Sequence, residues 1–309
     1  MTKRTVAIAL SNGTVTFSLD RSSKRVLLRC NTGRPVAYPV FKWPGGKQWL
    51  GRLNHVLLPP RSTGTYFEPF FGGGALFFSL APRKAFLSDI NADLMEAYQA
   101  IKTNVGKIIR ALGRCDYSED FYYYMRSKRC RNPYTRAARM VYLNRTCWNG
   151  LYRVNRKGEF NVPFGRFVNP TICDAARLEA ASRMLAEATL ARADFEQAVR
   201  RVRRNDLVYL DPPYTTRDGR NGFLKYNSRL FSWHDQERLA SVARDLAKRG
   251  ARVVVSNADH RQVTRLYRGF NYYKIERNSL IGGTGSKRQR VGEALLSSHP
   301  IMDVSTEVL

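Results

Sequence analysis

An apolar run, Leu207 to Leu210, ends at Asp211-Pro212-Pro213-Tyr214, and no other stretch of the sequence restricts fold and chemistry as tightly. A plain turn rarely needs two prolines and an aromatic directly after a buried strand. Proline fixes its own φ, so the prolines hold the backbone while the Asp211 carboxylate and the Pro212 carbonyl point at one spot. Two such acceptors can take the two hydrogens of an amino group. Tyr214 can stack on the ring that carries it. The geometry suits an aromatic amine whose lone pair must be freed from its ring before it attacks an electrophile.

Around this motif, strands alternate with helices, which reads as an α/β sheet. Gly64 to Glu68 is a candidate strand, and Lys84 to Ser88 is a second. Asp206 to Leu210 and Arg252 to Val255 are a third and a fourth. Asn91 is placed to cap a helix reaching about Asn104. Another helix starts near Ser232, carries Leu239, Val242, Ala243 and Leu246 at helical spacing, and stops at Gly250. The first strand runs into Phe67-Glu68-Pro69-Phe70-Phe71-Gly72-Gly73-Gly74. Glycines at a strand-to-helix junction let the backbone approach a ligand, and the helix start offers free amide donors. Asp89 lies 21 residues past Glu68, at the end of the next strand. An acid at that distance holds a ribose diol in nucleotide-binding α/β folds. A tight turn and a helix cap are the plainer readings of the same residues.

Residues 110–190 break the alternation. They read as helical at both ends, with a Gly- and Asn-rich middle from Asn144 to Gly165. Residues 121–170 hold eleven Lys and Arg, eleven aromatics and one acid, Glu159, so a basic aromatic subdomain is inserted in the α/β frame. The whole chain carries 52 Lys and Arg against 25 Asp and Glu, a net charge of +27, which points to a polyanion. Residues 1–40 form a basic extension in which Ser11-Asn12-Gly13 separates two alternating runs, Thr5 to Leu10 and Val15 to Leu19. That is a hairpin signal. The five cysteines and four histidines are scattered, so neither a metal site nor a disulfide framework is expected. No signal-peptide core and no run of membrane-spanning length is present, which leads us to expect a cytoplasmic protein, associated with the nucleoid through DNA.

These motifs, in this order, resemble a known family. Asp211-Pro212-Pro213-Tyr214 together with Phe67-Glu68-Pro69-Phe70-x-Gly72-Gly73-Gly74 is similar to the amino-methyltransferases. Phe41-Lys42-Trp43-Pro44-Gly45-Gly46-Lys47 looks like the N-terminal cofactor motif of the DNA adenine methyltransferase (Dam) family, with Pro44 where smaller residues are usual. The stretch from Leu143 to Gly165 resembles that family's recognition hairpin. Ser256-Asn257 and the basic loop Lys287-Arg288-Gln289-Arg290 resemble it too. The likeness covers about residues 41–297 and leaves out 1–40.

The resemblance implies a Rossmann-like S-adenosylmethionine-dependent methyltransferase sheet, at 41–112 and 188–309, with a mostly helical target-recognition insert and β-hairpin at 113–187. It implies S-adenosyl-L-methionine as cofactor, held by Trp43, Lys47, Glu68, Gly72, Asp89 and Asp211. Methyl transfer to adenine N6 in double-stranded DNA would involve Asp211, Pro212 and Tyr214, with the base flipped from the duplex. Arg pairs with guanine and Asn with adenine in the major groove. Asn149, Arg153 and Arg166 are therefore candidate base readers, and Trp148 and Leu151 candidate wedges. Lys287 and Arg288 are further DNA contacts, while Arg126, Lys128, Arg129 and Arg131 suit phosphates. Phe223 and Tyr226 sit in a candidate flap near the target base. The hairpin most resembles that of GATC-specific members, whose palindromic site a monomer can treat one strand at a time. Solitary, restriction-modification and phage roles all remain open. So do three rivals: a ribosomal RNA methyltransferase, a cytosine-N4 enzyme (which usually shows Ser at the Asp211 position), and a DNA-binding regulator without catalysis.

Overall fold

The computed structural model describes residues 4–10, 13–20, 25–31, 37–47, 50, 64–155, 157–215, 231–278 and 290–301. The flap with Phe223 and Tyr226, and the Lys287 and Arg288 positions, lie outside them. Two compact units result. One comprises residues 1–34, 52–70 and 195–309, the other 35–51 and 71–194.

The first unit is built on parallel strands bearing β-branched residues. β4 (Tyr66–Glu68) pairs in parallel with β7 (Leu207–Leu210), and β7 with β8 (Arg252–Ala258). All four residues of β7 are buried, as continuous apolar strands covered on both faces require. β8 then pairs antiparallel with β10 (Arg290–Ser297), and β10 with β9 (Asn271–Asn278). The N-terminal segment continues this sheet: β1 (Arg4–Leu10), β2 (Gly13–Asp20) and β3 (Arg25–Asn31) form an antiparallel meander whose β3 pairs with β9. Leu10 faces Gly13 across the expected hairpin. Sequence reading found the hairpin but not that it would extend the sheet.

In the same unit a short helix, Phe195–Ala198, precedes β7 and a long one, Trp233–Lys248, precedes β8. The long helix has the expected start. Ser232 accepts from the Asp235 backbone amide, and the Asp235 carboxylate accepts from the Ser232 amide in return. This capping box satisfies two amides that the first turn leaves without partners. Leu239, Ala243 and Leu246 are buried.

In the second unit, β5 (Ala85–Asp89) pairs in parallel with β6 (Ala188–Arg192). A short helix, Ala75–Leu80, follows the glycine turn, and a longer one, Ala92–Leu112, begins behind the Asn91 cap. The expected end at Asn104 is a kink instead: Asn104 has φ −158° and ψ 77°, and the helix resumes beyond it. Leu94, Tyr98, Ile101 and Ile108 bury its apolar stripe. The stretch that breaks the alternation supplies helices Glu119–Ser127, Pro133–Thr146 and Ala175–Leu185. Between the last two lies a narrow antiparallel excursion, with bridges Cys147–Phe164 and Val154–Phe160. Among the described residues no helix is long and apolar enough to cross a membrane. No group of three or more metal-ligating side chains occurs among them either.

Candidate active site

Consecutive parallel strands deliver their carboxyl ends to one edge of a sheet, and ligands of α/β folds bind there. In the first unit β4 ends at Glu68 and β7 runs into Asp211. Glu68 is buried and accepts a hydrogen bond from the Tyr66 hydroxyl at 2.9 Å. Burial, and then the Glu68 carboxylate, hold the Tyr66 phenol well above its ordinary range, so it remains a donor. Tyr209 is likewise held protonated by burial and by the Asp211 charge. Tyr214 lies with its hydroxyl 3.4 Å from Ser256 Oγ, at the end of β8. Glu68, Asp211 and Tyr214 are thus brought together with two buried tyrosines that the sequence did not single out. Their signal was present: Tyr66 and Tyr209 stand two residues before the two acids, on the same strand face.

Pro212 is buried while Asp211, Pro213 and Tyr214 remain partly exposed, and the Asp211 Oδ1 atom is itself buried. Phe70 stacks on Phe195 at 5.5 Å between ring centroids and meets Phe231 edge-on at 5.6 Å.

In the second unit the glycine turn and Asp89 meet. Gly72 has φ +48°, in the left-handed region that favours glycine. Its amide donates to Asp89 Oδ2 at 2.9 Å, and the Asn91 amide donates to Oδ1 at 2.9 Å. The Ile90 amide also bonds this carboxylate. Burial holds the Asp89 carboxyl above its ordinary range, and the amides of Asn91, Gly72 and Ile90 offset only part of that rise. The Trp43 ring lies against Gly72: a Cβ there would stand 2.7 Å from Trp43 Cδ1. Trp43 also stacks on Tyr152, with ring centroids 5.0 Å apart and planes 25° apart. Lys47 is buried, and its Nζ donates to the Gly45 carbonyl at 2.7 Å. Trp43, Gly72 and Asp89 therefore form one cluster, with Lys47 at the end of the Trp43 segment.

A residue the sequence reading passed over ties that segment to the excursion. The Lys42 amide donates to Asn144 Oδ1 at 2.8 Å, while Asn144 Nδ2 donates to the carbonyls of Lys42 and Gly150 at 2.9 and 3.0 Å. One buried side chain thus fixes both the Trp43 motif and the turn at Trp148–Gly150.

The candidate DNA readers cluster on this excursion. Trp148 is 51% exposed, and Asn149 occupies the left-handed region at φ 54°. Leu151 follows, half-buried. Arg153 is held by its neighbour across the excursion: its Nε donates to Asn161 Oδ1 at 2.8 Å and its Nη2 to the Asn161 carbonyl at 3.1 Å. The turn beyond is closed by Asn155, whose Oδ1 accepts from the amides of Lys157 and Glu159. Arg166 is exposed and pairs with Glu119 at 3.2 Å. Arg126, a candidate phosphate contact, donates through Nη1 to the Val162 carbonyl at 3.2 Å and lies over the Tyr123 ring. The basic character of this region is partly structural.

A mixed α/β sheet with a glycine turn and an acid at the ends of strands is consistent with the fold of S-adenosylmethionine-dependent methyltransferases. Over residues 43–281 the sequence matches the D12 class N6 adenine-specific DNA methyltransferases. It is 38% identical over 272 residues to the Type II methyltransferase M1.LlaDCHI of Lactococcus lactis subsp. cremoris, covering 84% of this chain and 95% of that protein. It is 38% identical over 274 residues to the Type II methyltransferase M.MjaIII of Methanocaldococcus jannaschii, covering 81% and 95%. It is 30% identical over 266 residues to the DNA adenine methylase of Salmonella typhi, covering 84% and 95%. The chain belongs to the D12 class of N6 adenine-specific DNA methyltransferases. Membership sets aside the ribosomal RNA and cytosine-N4 alternatives and makes DNA the partner. Enzymes of this family in general draw their methyl group from S-adenosylmethionine.

Proposed function

We propose that the protein transfers a methyl group from S-adenosyl-L-methionine to N6 of adenine within GATC in duplex DNA, acting as a monomer on a base turned out of the helix. The observation that carries the chemistry is the loop 211–214. It places Asp211, two prolines and Tyr214 directly after a buried strand. The Asp211 carboxylate and the Pro212 carbonyl accept the two amino hydrogens, which draws the nitrogen lone pair out of conjugation. Tyr214 stacks on the purine. Both contacts offset the few kcal/mol needed to unstack a base. Catalysis then rests on position and on fixed dipoles. Asp211 need not be a strong base, since an N-methylated adeninium is a strong acid.

The residues of the second unit fit the cofactor. The Trp43 ring packs directly on Gly72, where a Cβ would stand 2.7 Å from its Cδ1, and the Asp89 carboxylate beside them suits a ribose diol. Lys47 suits a carboxylate. When bound, S-adenosyl-L-methionine supplies an electrophilic sulfonium methyl.

Residues 113–187 serve target recognition in this reading, and 41–112 with 188–309 serve catalysis. Arg153 supports it most directly. Its side chain is fixed by two hydrogen bonds to Asn161 and still exposed, so less rotamer entropy is lost when it meets a base. Asn149, Arg166 and the exposed Trp148 ring complete the reading surface. Lys287 and Arg288 add contacts from a segment outside the described residues. The test is methylation-aware sequencing of DNA from cells that express the chain. Marks on the adenine of GATC are expected, and marks confined to another motif refute that specificity.

A further inference from the structure

Two consecutive prolines leave the Asp211–Tyr214 loop without backbone donors at its centre, so its conformation has to be fixed through its carbonyls. Gln236 does this. It is fully buried in the first turns of helix Trp233–Lys248, and its Nε2 donates to the Pro213 carbonyl at 3.2 Å. Its Oε1 accepts from Asn257 Nδ2 at 3.0 Å. Asn257 is also fully buried, and its Oδ1 accepts from the Ala258 amide at 2.8 Å.

This chain has a direction. A backbone amide can only donate, so the Ala258 amide sets which end of the Asn257 side chain is oxygen. That choice turns the Asn257 nitrogen toward Gln236, and the Gln236 nitrogen toward Pro213. A second tie lies two residues on. The buried Thr215 hydroxyl donates to the Phe231 carbonyl at 2.7 Å, just ahead of the Ser232 cap. The loop is thus fastened at two points to the start of one helix, whose own first turn is locked by its capping box.

We propose that Gln236 is a positioning residue for methyl transfer, acting through the Pro213 carbonyl to hold Asp211, the Pro212 carbonyl and Tyr214 in the arrangement that receives the adenine, with Asn257 fixing its polarity. The inference rests on the reading of Asp211–Tyr214 given above. Gln236 touches neither DNA nor cofactor in this role. Its loss therefore lowers the rate of the chemical step and leaves binding alone, because a misplacement of about 1 Å at a reacting group costs on the order of a hundredfold.

The experiment measures single-turnover methyl transfer to a GATC duplex together with dissociation constants for duplex and S-adenosylmethionine. Thermal midpoints are followed throughout. The variants are Gln236→Leu, Gln236→Glu, Asn257→Ala, the Gln236→Leu/Asn257→Ala pair and Asp211→Ala. Gln236→Glu keeps an acceptor for Asn257 and, once ionised, has no donor for Pro213; its rate is read at alkaline pH, where the buried carboxyl loses its proton, so it serves if Gln236→Leu does not fold. The expected result is a rate lower by about tenfold to a hundredfold for either Gln236 variant, with dissociation constants within about twofold of wild type. Asn257→Ala is expected to slow the wild-type protein but to add little to Gln236→Leu, because the two act in one chain. A rate within twofold of wild type for Gln236→Glu overturns the proposal, as does a loss seen equally in rate and in both dissociation constants. Asp211→Ala separates the two readings. If it abolishes transfer while the Gln236 variants do not, only the positioning role falls. If it leaves turnover near normal, the loop reading itself fails.

Discussion

Replacing Gly72 by alanine exchanges a hydrogen for a methyl group, and the structure says where its carbon goes. Gly72 has φ +48°, and a Cβ would stand 2.7 Å from Trp43 Cδ1 and 3.0 Å from Nε1. Two costs follow. An L-residue in the left-handed region costs roughly 1–2 kcal/mol. Displacing the Trp43 ring by several tenths of an ångström disturbs its stack on Tyr152, a contact worth about 0.5–1.5 kcal/mol. The first cost is present with or without ligand, so it falls on stability. The second moves a wall of the proposed cofactor site, so it falls on affinity and corresponds to roughly a twofold to thirteenfold rise in Kd. Isothermal titration with S-adenosylmethionine and urea denaturation read the two separately. Gly106 is the internal control. An added Cβ there meets nothing closer than 3.5 Å, so Gly106→Ala is expected to raise stability by about 0.5–1 kcal/mol. It should not change cofactor affinity. An unchanged Kd for Gly72→Ala would remove the glycine turn and Trp43 from the cofactor site.

Three further outcomes are expected. Asp89→Ala removes the acceptor opposite the Gly72 amide and should weaken S-adenosylmethionine binding by roughly 1–3 kcal/mol; calorimetry showing no change excludes Asp89 from the site. Arg153→Ala should relax specificity at one base pair, whereas Arg129→Ala should weaken binding to every sequence alike, which competition binding with single-substituted duplexes distinguishes. His299 is held neutral by burial and by Arg252, whose Nη2 lies 3.0 Å from its Nε2, and its pKa falls to about 4. The unfolded value is about 6.5, so its contribution to stability is complete above that pH and is lost as pH falls from there toward 4. For a partly exposed ring the contribution is roughly 1–3 kcal/mol. His299→Gln should therefore flatten the stability profile across that window, and a profile that keeps its slope assigns the acid sensitivity to other groups.

What the sequence disclosed depended on range. The strand ends at Glu68, Asp89 and Asp211 could be read because each stands next to punctuation: glycines, a capping Asn and two prolines. The Ser232 cap and the apolar positions behind it were legible for the same reason. The kink at Asn104 was visible as a helix end, since a polar side chain that competes for backbone bonds marks both. Pairings across long separations left no such mark. Nothing in the run Arg25–Asn31 announces β9 as its neighbour. Asn144 binds the Lys42 backbone 102 residues away, and Gln236 looks like any polar residue near a helix start. Charge is legible only as a count. Arg126 belongs to a basic run, and nothing in that run shows that its Nη1 donates to the Val162 carbonyl. Composition counts charges without showing which of them the fold has already engaged.

The central claim is that the Asp211–Tyr214 loop holds an adenine amine while a methyl group is transferred to it. Nucleoside analysis of DNA incubated with the purified protein and S-adenosylmethionine tests this most directly, with wild type and Asp211→Asn compared side by side. Asn keeps the size of the side chain, loses the negative charge and replaces one of the two acceptor oxygens with a donor. The account predicts N6-methyladenine from the wild type and at least a hundredfold less from the variant, with DNA binding retained because Lys and Arg carry the affinity. Comparable N6-methyladenine from Asp211→Asn, or a methylated base other than adenine from the wild type, would contradict it.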